Sequence, residues 1–306
     1  NNLNVNTKLG GIDIIANADK RFEEYKDRKE NKDNWFFTTG LPELDDVING
    51  IQRTEEFFVI LARTHQCKSW IIAKICTHIW NIGFNVGFIS PEMSPSSIGY
   101  RFDTLYKNFS NKDSFWGKEG IDEKAYEDYI NELKTRKNKF IVATKKDFGS
   151  RITVSKIKQF VLQNKLDIVA IDGITYMADE RGKKGDTKAT ALTNISEDLM
   201  NLSIEIGVPI MVVVQANRNG AGLEDEETPE LEHMRDSDGI AFNASKVISL
   251  KHSKEDNVLT LQVKKQRNGL IGTKVRYVYN INTGEFTPMN NNNPVREVRN
   301  VVLTRQ

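Results

Sequence analysis

The sequence predicts an α/β fold built on a mainly parallel β-sheet that helices cover on both faces. Continuous apolar runs, with helical periodicity between most of them, occur at residues 57–62, 85–90, 140–144, 167–172 and 209–215. Runs without polar alternation are typical of strands that are buried on both faces. Three later strand patterns, at 246–251, 258–266 and 273–280, follow one another without helices. They predict an antiparallel C-terminal extension at one edge of the sheet.

Length and composition allow one large domain. The chain has 306 residues, of which 39% are hydrophobic, and no segment is long and apolar enough to span a membrane. Two cysteines exclude a disulfide scaffold or a four-cysteine zinc site and suit a reducing compartment. The formal net charge is +1, so contact with nucleic acid has to come from local basic loops. We predict three parts: a linker helix in 1–35, an α/β core in 36–288 and a tail in 289–306.

The N-terminal part carries an amphipathic pattern. Ile12, Ile15, Phe22 and Tyr25 recur on one helical face and are followed by a polar stretch at 29–34. The sequence leaves two alternatives open: this helix folds back on its own domain, or it docks on a neighbouring subunit.

The first apolar strand leads into a short loop that ends in Lys68-Ser69, where a helical pattern begins. The backbone N–H groups of such a loop and the positive end of the following helix bind phosphate oxygens. The spacing matches G-x-x-x-x-G-K-[ST], with Ala62 and Cys67 in place of the two glycines. We predict that Lys68 contacts the phosphates of ATP and Ser69 ligates Mg²⁺. The nucleotide-binding set is predicted to be Arg63, Thr64, His65, Gln66, Cys67, Lys68, Ser69 and Trp70.

Cys67 is the departure from this pattern that matters most. Glycine is usual before the lysine because the backbone turns sharply there and approaches the phosphate closely. The Cβ of Cys67 enters that space, so weakened nucleotide binding or turnover stays open as an alternative.

Helices are expected between the later strands. Ser94 and Asp122 are placed to cap two of them, over 98–105 and 126–133. Residues 154–162 and 187–206 carry the remaining helical patterns.

Polar residues stand at the carboxyl ends of three predicted strands, where ligands bind in open α/β sheets. Glu92 could polarise an attacking water, although a glutamate that merely favours a helix start is the alternative. Asp172 ends a strongly apolar strand and has the layout of a residue that holds Mg²⁺ through water. Gln215 could bind the γ-phosphate or simply satisfy loop backbone.

A basic cluster ends the strand predicted at 258–266. In Lys264-Lys265-Gln266-Arg267-Asn268-Gly269, alternation places Lys265 and Arg267 on one face. An arginine there could stabilise charge on a phosphate in its own subunit or in a neighbour's. A solvated hairpin end is the alternative.

The loops that follow Asp172 and Gln215 are basic and contain glycine. Among their residues are Lys183, Lys184 and Arg218. Mobile basic loops beside a phosphate site suit sequence-independent contact with a phosphodiester backbone.

Taken in order, these motifs resemble a known family. They are Thr39-Gly40-Leu41-Pro42-Glu43-Leu44-Asp45, residues 62–69, Ser90-Pro91-Glu92-Met93, residues 167–173, Val214-Gln215-Ala216-Asn217-Arg218, Met234-Arg235-Asp236-Ser237 and Lys265-Gln266-Arg267-Asn268-Gly269. Over residues 36–288 the chain resembles the motor domain of DnaB-type replicative helicases. The resemblance implies a RecA-like P-loop NTPase core.

The resemblance also implies residue roles. Lys68 and Ser69 would bind nucleotide phosphates and Mg²⁺, and Glu92 would be the catalytic base. Asp172 would order the metal and Gln215 would sense the γ-phosphate. Lys265 and Arg267 would reach the nucleotide of the adjacent subunit. The residues that would contact DNA are Arg218, Arg235, Asp236, Asp238, Lys183 and Lys184. Asp238 stands where the family usually has glycine.

The implied function is ATP-driven translocation on single-stranded DNA and 5′ to 3′ unwinding by a ring, usually a hexamer. We expect a bacteriophage-encoded version that acts in the bacterial cytoplasm without the primase-interacting domain, with primase and a helicase loader as candidate partners. The helix at 12–25 would dock on a neighbour. Two alternatives stay open: a RecA-like recombinase or regulatory ATPase that assembles on DNA, and a DNA-binding module whose hydrolysis is impaired by Cys67.

Overall fold

The structure, a computed structural model, describes residues 11–216, 228–233 and 238–289. Its strands are β1 (Phe36–Phe37), β2 (Ile51–Gln52), β3 (Phe57–Ala62), β4 (Val86–Ile89), β5 (Phe140–Ala143), β6 (Ile168–Ile171), β7 (Ile210–Gln215), β8 (Lys246–His252), β9 (Val258–Gln266), β10 (Lys274–Asn280) and β11 (Glu285–Pro288). Its helices are α1 (Ala18–Glu30), α2 (Lys32–Trp35), α3 (Pro42–Ile48), α4 (Lys68–Asn81), α5 (Pro95–Lys107), α6 (Asn111–Trp116), α7 (Glu123–Leu133), α8 (Val154–Asn164), α9 (Lys188–Ile206) and α10 (Asp238–Asn243).

Nine strands form one sheet in the order β11-β10-β9-β8-β3-β7-β6-β4-β5. From β8 to β5 every neighbouring pair is parallel, whereas the pairs among β8, β9, β10 and β11 are antiparallel. The predicted α/β class with an antiparallel C-terminal extension is confirmed. One detail differs: the strand predicted at 246–251 pairs in parallel with β3 on its other side, so the extension begins only at β9.

Two apolar clusters lie on opposite faces of the sheet. On β3, Phe58 and Ile60 join the cluster under α3, α4 and α5, while Val59 and Leu61 join the cluster under α8 and α9. Successive side chains of a strand point to opposite faces, and all six positions of β3 are buried. The continuous apolar run is therefore explained by helices on both sides.

Helix caps match the sequence pattern. The hydroxyl of Ser94 accepts a hydrogen bond from the Ser97 N–H at 3.2 Å, and the Asp122 carboxylate accepts one from the Ala125 N–H at 3.0 Å. Thr187 caps α9 in the same way. These side chains satisfy N–H groups that a helix leaves unpaired at its start, so they fix where α5, α7 and α9 begin.

The N-terminal helix lies later in the chain than its apolar pattern predicts. The Asp13 carboxylate accepts hydrogen bonds from the N–H groups of Ile15 and Ala16 at 2.8 and 3.1 Å, which folds a turn before α1 begins at Ala18. Ile12 and Ile15 thus lie outside the helix, and α1 buries none of its residues. The fold-back alternative is not supported. Within the described ranges, no helix has the length and apolar character needed to cross a membrane.

Candidate nucleotide-binding site

The carboxyl ends of β3, β4, β6 and β7 meet at one edge of the sheet. Ala62 stands opposite Gln215, and the Ala216 N–H donates to the Ala62 carbonyl at 2.9 Å. On the other side of β6, the Asp172 N–H donates to the Ile89 carbonyl at 2.9 Å. The loops that follow these four strands are therefore neighbours, as expected for a parallel sheet.

The loop after β3 places two residues other than glycine in the left-handed backbone conformation, which raises its conformational energy. Cys67 lies in the left-handed region at φ 58° and ψ 19°, and His65 has φ 59°. A residue with a Cβ is strained there by about 1–2 kcal/mol. The loop thus keeps a glycine-type turn without glycine.

Side-chain contacts hold this loop in place. The Lys68 ammonium donates to the Arg63 carbonyl at 2.6 Å, so it curls over the loop. The Gln66 side-chain oxygen accepts a hydrogen bond from the His252 N–H at the end of β8. Burial lowers the pKa of Lys68, and the negative charges of Asp172 and Glu92 oppose this by raising the pKa.

Ser69 and Asp172 form the centre of the site. The Ser69 hydroxyl lies beside the Asp172 carboxylate, which is 8% exposed. Burial raises the pKa of Asp172, whereas the Ser69 hydrogen bond and the nearby Arg101 guanidinium oppose that rise. A buried carboxylate paired with a hydroxyl and two cations is held at one fixed position.

This donor set fits one Mg²⁺ bound together with phosphates. Mg²⁺ prefers oxygen ligands and usually keeps waters while it takes one or two carboxylates plus substrate phosphates. Ser69 and Asp172 offer a hydroxyl and a carboxylate side by side. In the part of the chain that the structure describes, no group of three or more His, Cys, Asp or Glu side chains could hold a metal by itself. The residues would hold Mg²⁺ only in company with a nucleotide.

Glu92 lies at the exposed rim of the site, in the bend between β4 and α5. Its carboxylate accepts a hydrogen bond from the Tyr176 hydroxyl. Tyr176 closes the short 3₁₀ turn Ile174–Tyr176 that follows Asp172. Since α5 is capped by Ser94, two residues beyond Glu92, that glutamate does not occupy the helix start. Gln215 ends β7 beside Ala62 and is partly buried.

Lys265 and Arg267 lie near the end of the sheet opposite to the phosphate loop, beside the amino ends of the parallel strands. Gln266 pairs with Lys246, and Lys246 pairs with Phe58 near the start of β3, so Arg267 stands beside the amino ends of the parallel strands. From Phe58 to Ala62 the strand advances on the order of 13 Å. The exposed Arg267 is therefore remote from the phosphate loop of its own chain, an arrangement that favours contact with the nucleotide of a neighbouring subunit. Lys265 donates to the Ala241 and Phe242 carbonyls at 2.8 Å.

The predicted DNA-contacting residues are only partly within the described structure. Lys183 and Lys184 are exposed in the loop before α9. Arg181 of the same loop is tied to Glu197 and Asp198 at 2.8 and 3.2 Å, so its charge is committed to α9. Asp238 is described only as the first position of α10. The other predicted residues lie outside the described residues; they are Arg218, Arg235 and Asp236.

The structure corrects the prediction for Trp70. Because α4 begins at Lys68, the third helical residue turns inwards, and Trp70 is 5% exposed. The Arg101 guanidinium lies 4.9 Å from the centre of the Trp70 ring, and the backbone N–H of Trp70 donates to the Cys67 carbonyl. Trp70 packs beneath the loop and offers no free surface to a nucleotide.

Sequence reasoning missed two residues of this site, Arg101 and Tyr176. Arg101 projects from α5 towards Asp172, and its Nη1 is buried without a hydrogen-bond partner in the described residues. An arginine on the buried face of a helix that also carries Ile98 and Phe102 was the available signal. Tyr176 gave no local signal, because its contact with Glu92 exists only in the folded sheet.

Cys67 allows a test of the loop conformation. Glycine keeps the left-handed turn and removes the strain of about 1–2 kcal/mol that a Cβ causes there, so Cys67→Gly should be at least as stable as the wild type and should still bind ATP. Valine is β-branched and is strained more than cysteine at positive φ, so Cys67→Val should be less stable than the wild type and should bind ATP more weakly. Chemical unfolding and isothermal titration with ATP and Mg²⁺ measure the difference; equal behaviour of the two variants would contradict the prediction. Burial raises the pKa of the Cys67 thiol to about 11, so thiol reagents should react slowly.

Comparison with known proteins identifies relatives. The family model described as the DnaB-like helicase C terminal domain matches residues 37–288. The chain is 23% identical over 269 residues to a probable plasmid replicative DNA helicase of Chlamydia trachomatis, and 24% identical over 247 residues to the replicative DNA helicase DnaB of Geobacillus stearothermophilus. These alignments cover 86% and 77% of this chain but 57% and 53% of the relatives. The chain thus spans little more than half of their length.

Solved structures agree in fold. The ATPase domain of G40P superposes with a TM-score of 0.77 at 19% identity, covering 92% of this chain and all of that one. A DnaB-like replicative helicase, described with its interactions with primase, has a TM-score of 0.73 at 20% identity and covers 91% of this chain and 67% of its own. These matches confirm the expected RecA-like architecture.

Proposed function

Because this chain belongs to the DnaB-like helicase C-terminal domain family, we propose that it is the ATP-hydrolysing motor of a replicative DNA helicase. One observation carries the proposal most directly. The Ser69 hydroxyl, the buried Asp172 carboxylate and the Lys68 ammonium converge at the carboxyl edge of the parallel strands, with Glu92 at the rim. Hydrolysis of a nucleoside triphosphate needs these three kinds of group beside a base.

Each residue has a distinct task in this mechanism. The loop backbone and Lys68 bind the β- and γ-phosphates, and Ser69 and Asp172 hold Mg²⁺, which neutralises charge on the phosphate oxygens when bound. Glu92 accepts the proton of the attacking water. Gln215, beside the start of the loop, donates its amide to the γ-phosphate. The Ser69 hydroxyl and the nearby positive charge of Arg101 favour the ionised form of the buried Asp172.

Arg267 completes the site from a neighbouring protomer. The phosphate loop lies at the carboxyl ends of the parallel strands, and Arg267 lies beside their amino ends. One protomer therefore presents its phosphate loop to one neighbour and its Arg267 to another. Contacts between unlike surfaces are head-to-tail, and they generate a ring when the rotation closes. We propose a hexameric ring in which α1, with its exposed Phe22 and Tyr25, docks on the adjacent protomer.

The proposed substrate besides ATP is single-stranded DNA. Lys183 and Lys184 are exposed on the segment that follows Asp172 and precedes α9. We propose that this loop, with Arg218 and Arg235, contacts the DNA backbone in the ring channel, and that the motor moves 5′ to 3′. We further propose primase and a loader as partners in the bacterial cytoplasm; one solved relative is described with its interactions with primase.

The test is to measure ATP hydrolysis by the wild-type chain with and without single-stranded DNA, and strand separation on a forked duplex. We expect DNA-stimulated hydrolysis and unwinding that needs a free 5′ tail. Hydrolysis without unwinding, together with open filaments that promote strand exchange, would favour the recombinase alternative. Absence of ATP binding in a titration would contradict the motor and favour a DNA-binding module.

A further inference from the structure

The hydrogen bond between Tyr176 and Glu92 links the base to the segment that leads into a basic loop. We infer that Tyr176 is a positioning residue that restrains Glu92 until single-stranded DNA binds the adjoining basic segments. This inference rests on the proposed function, because it assigns a control to the same site. Tyr176 lies four residues after Asp172, which follows β6. Its hydroxyl donates to Glu92, which follows the neighbouring strand β4.

The contact determines how Glu92 is oriented and which of its carboxylate oxygens is free. Among the described residues, the Tyr176 hydroxyl is the only hydrogen-bond partner of the otherwise exposed Glu92 carboxylate. The carboxylate oxygen that accepts the Tyr176 proton already has a hydrogen-bond partner, so it is less available to an attacking water. The same bond turns the carboxylate towards Tyr176. Glu92 is therefore held in a state of reduced reactivity.

The backbone before Tyr176 is built for this contact. Gly173 has φ 125°, a conformation that side chains rarely adopt, and a Cβ placed there would lie 2.8 Å from the Tyr176 ring. Only glycine lets the ring approach so closely. The hydrogen bond to Glu92 is the main cause that raises the pKa of Tyr176 to about 12, so the phenol remains a donor at neutral pH.

Basic segments flank the tyrosine on both sides. The Lys145 ammonium lies 4.7 Å from the centre of the Tyr176 ring, at the start of the loop after β5. That loop rejoins the tyrosine segment where Ile152 bridges Met177, and exposed Lys183 and Lys184 follow. A phosphodiester that attracts these lysines would draw Lys145 off the ring and shift Tyr176. Strand binding would thus free Glu92 for hydrolysis.

Tyr176→Phe removes the hydroxyl and keeps the ring, so it tests the restraint. We expect kcat for ATP hydrolysis without DNA to rise about fivefold, the factor that one hydrogen bond of ordinary strength supplies. KM for ATP and the DNA-saturated kcat should stay unchanged, so stimulation by DNA falls by the same factor. Oligo-dT serves as the DNA probe, on the assembled full chain.

Tyr106→Phe is the matched control. The Tyr106 hydroxyl donates to Glu132 at 3.1 Å, away from the site, so this variant loses the same kind of bond and should keep wild-type stimulation. An unchanged DNA-free kcat in Tyr176→Phe, or an equal fall with and without DNA, would overturn the inference while leaving the motor intact. A wild-type chain that hydrolyses no ATP under either condition would instead remove the proposed function and this inference with it.

Discussion

Glu92→Gln should bind ATP and Mg²⁺ normally yet hydrolyse ATP about 10²–10⁴-fold more slowly, the range that a positioned general base contributes. Glutamine keeps the size of the side chain and removes the basic oxygen. The residue lies at the exposed rim between β4 and α5, so the change should not disturb the core. Steady-state hydrolysis gives kcat, and isothermal titration gives the affinity for ATP.

Two further variants sharpen this result. Glu127→Gln makes the same chemical change on the exposed surface of α7 and should keep the wild-type rate. Lys68→Ala should lose nucleotide affinity as well as turnover, because Lys68 contacts phosphates in the ground state as well as in the transition state. If Glu92→Gln retained more than a tenth of the wild-type kcat, Glu92 would not be the base.

Arg267→Ala should lower kcat by about 10³–10⁵-fold, the effect of removing an arginine that stabilises charge on the transferred phosphoryl group. Arg267 is exposed, and its one hydrogen bond among the described residues goes to the Met200 sulfur at 3.9 Å, so the fold should remain intact. ATP affinity should change far less than turnover. The measurement is kcat in the assembled state, with oligomer size checked by light scattering.

Mixing of inactive variants tests whether Arg267 acts across the interface. In oligomers of Lys68→Ala and Arg267→Ala protomers, a Lys68 from one variant can meet an Arg267 from the other, and about one interface in four is then intact in a random one-to-one mixture. Hydrolysis should reappear. Lys68→Ala mixed with Glu92→Gln is the control, because both changes lie on the phosphate-loop side and no interface has an intact site. Failure of the first mixture to regain activity would contradict action in trans.

The sequence predicted the sheet well because its strands are buried on both faces. The apolar runs around β3, β6 and β7 match the strands to within one or two residues, since solvent-free strands leave little room for polar residues. The helix caps Ser94 and Asp122 could also be predicted from the sequence, because each accepts a hydrogen bond from the N–H group only three residues later in the chain.

Predictions failed where a local side chain or the tertiary arrangement overrode periodicity. Asp13 folds a turn that displaces the N-terminal helix, although the apolar spacing suits a helix from Ile12. Trp70 follows the phosphate motif in the chain, but helix geometry turns it into the core. The contact of Tyr176 with Glu92 could not be predicted, since it joins residues 84 positions apart at the ends of adjacent strands.

The separation of Arg267 from the phosphate loop has a cellular consequence. If Arg267 acts on the nucleotide of the next protomer, a protomer that has left its companions lacks this arginine at its own phosphate loop and hydrolyses ATP about 10³–10⁵-fold more slowly than the assembled protein. Newly made or dissociated copies would therefore be idle by construction, and the cell would need no dedicated inhibitor to protect its nucleotide pool from them.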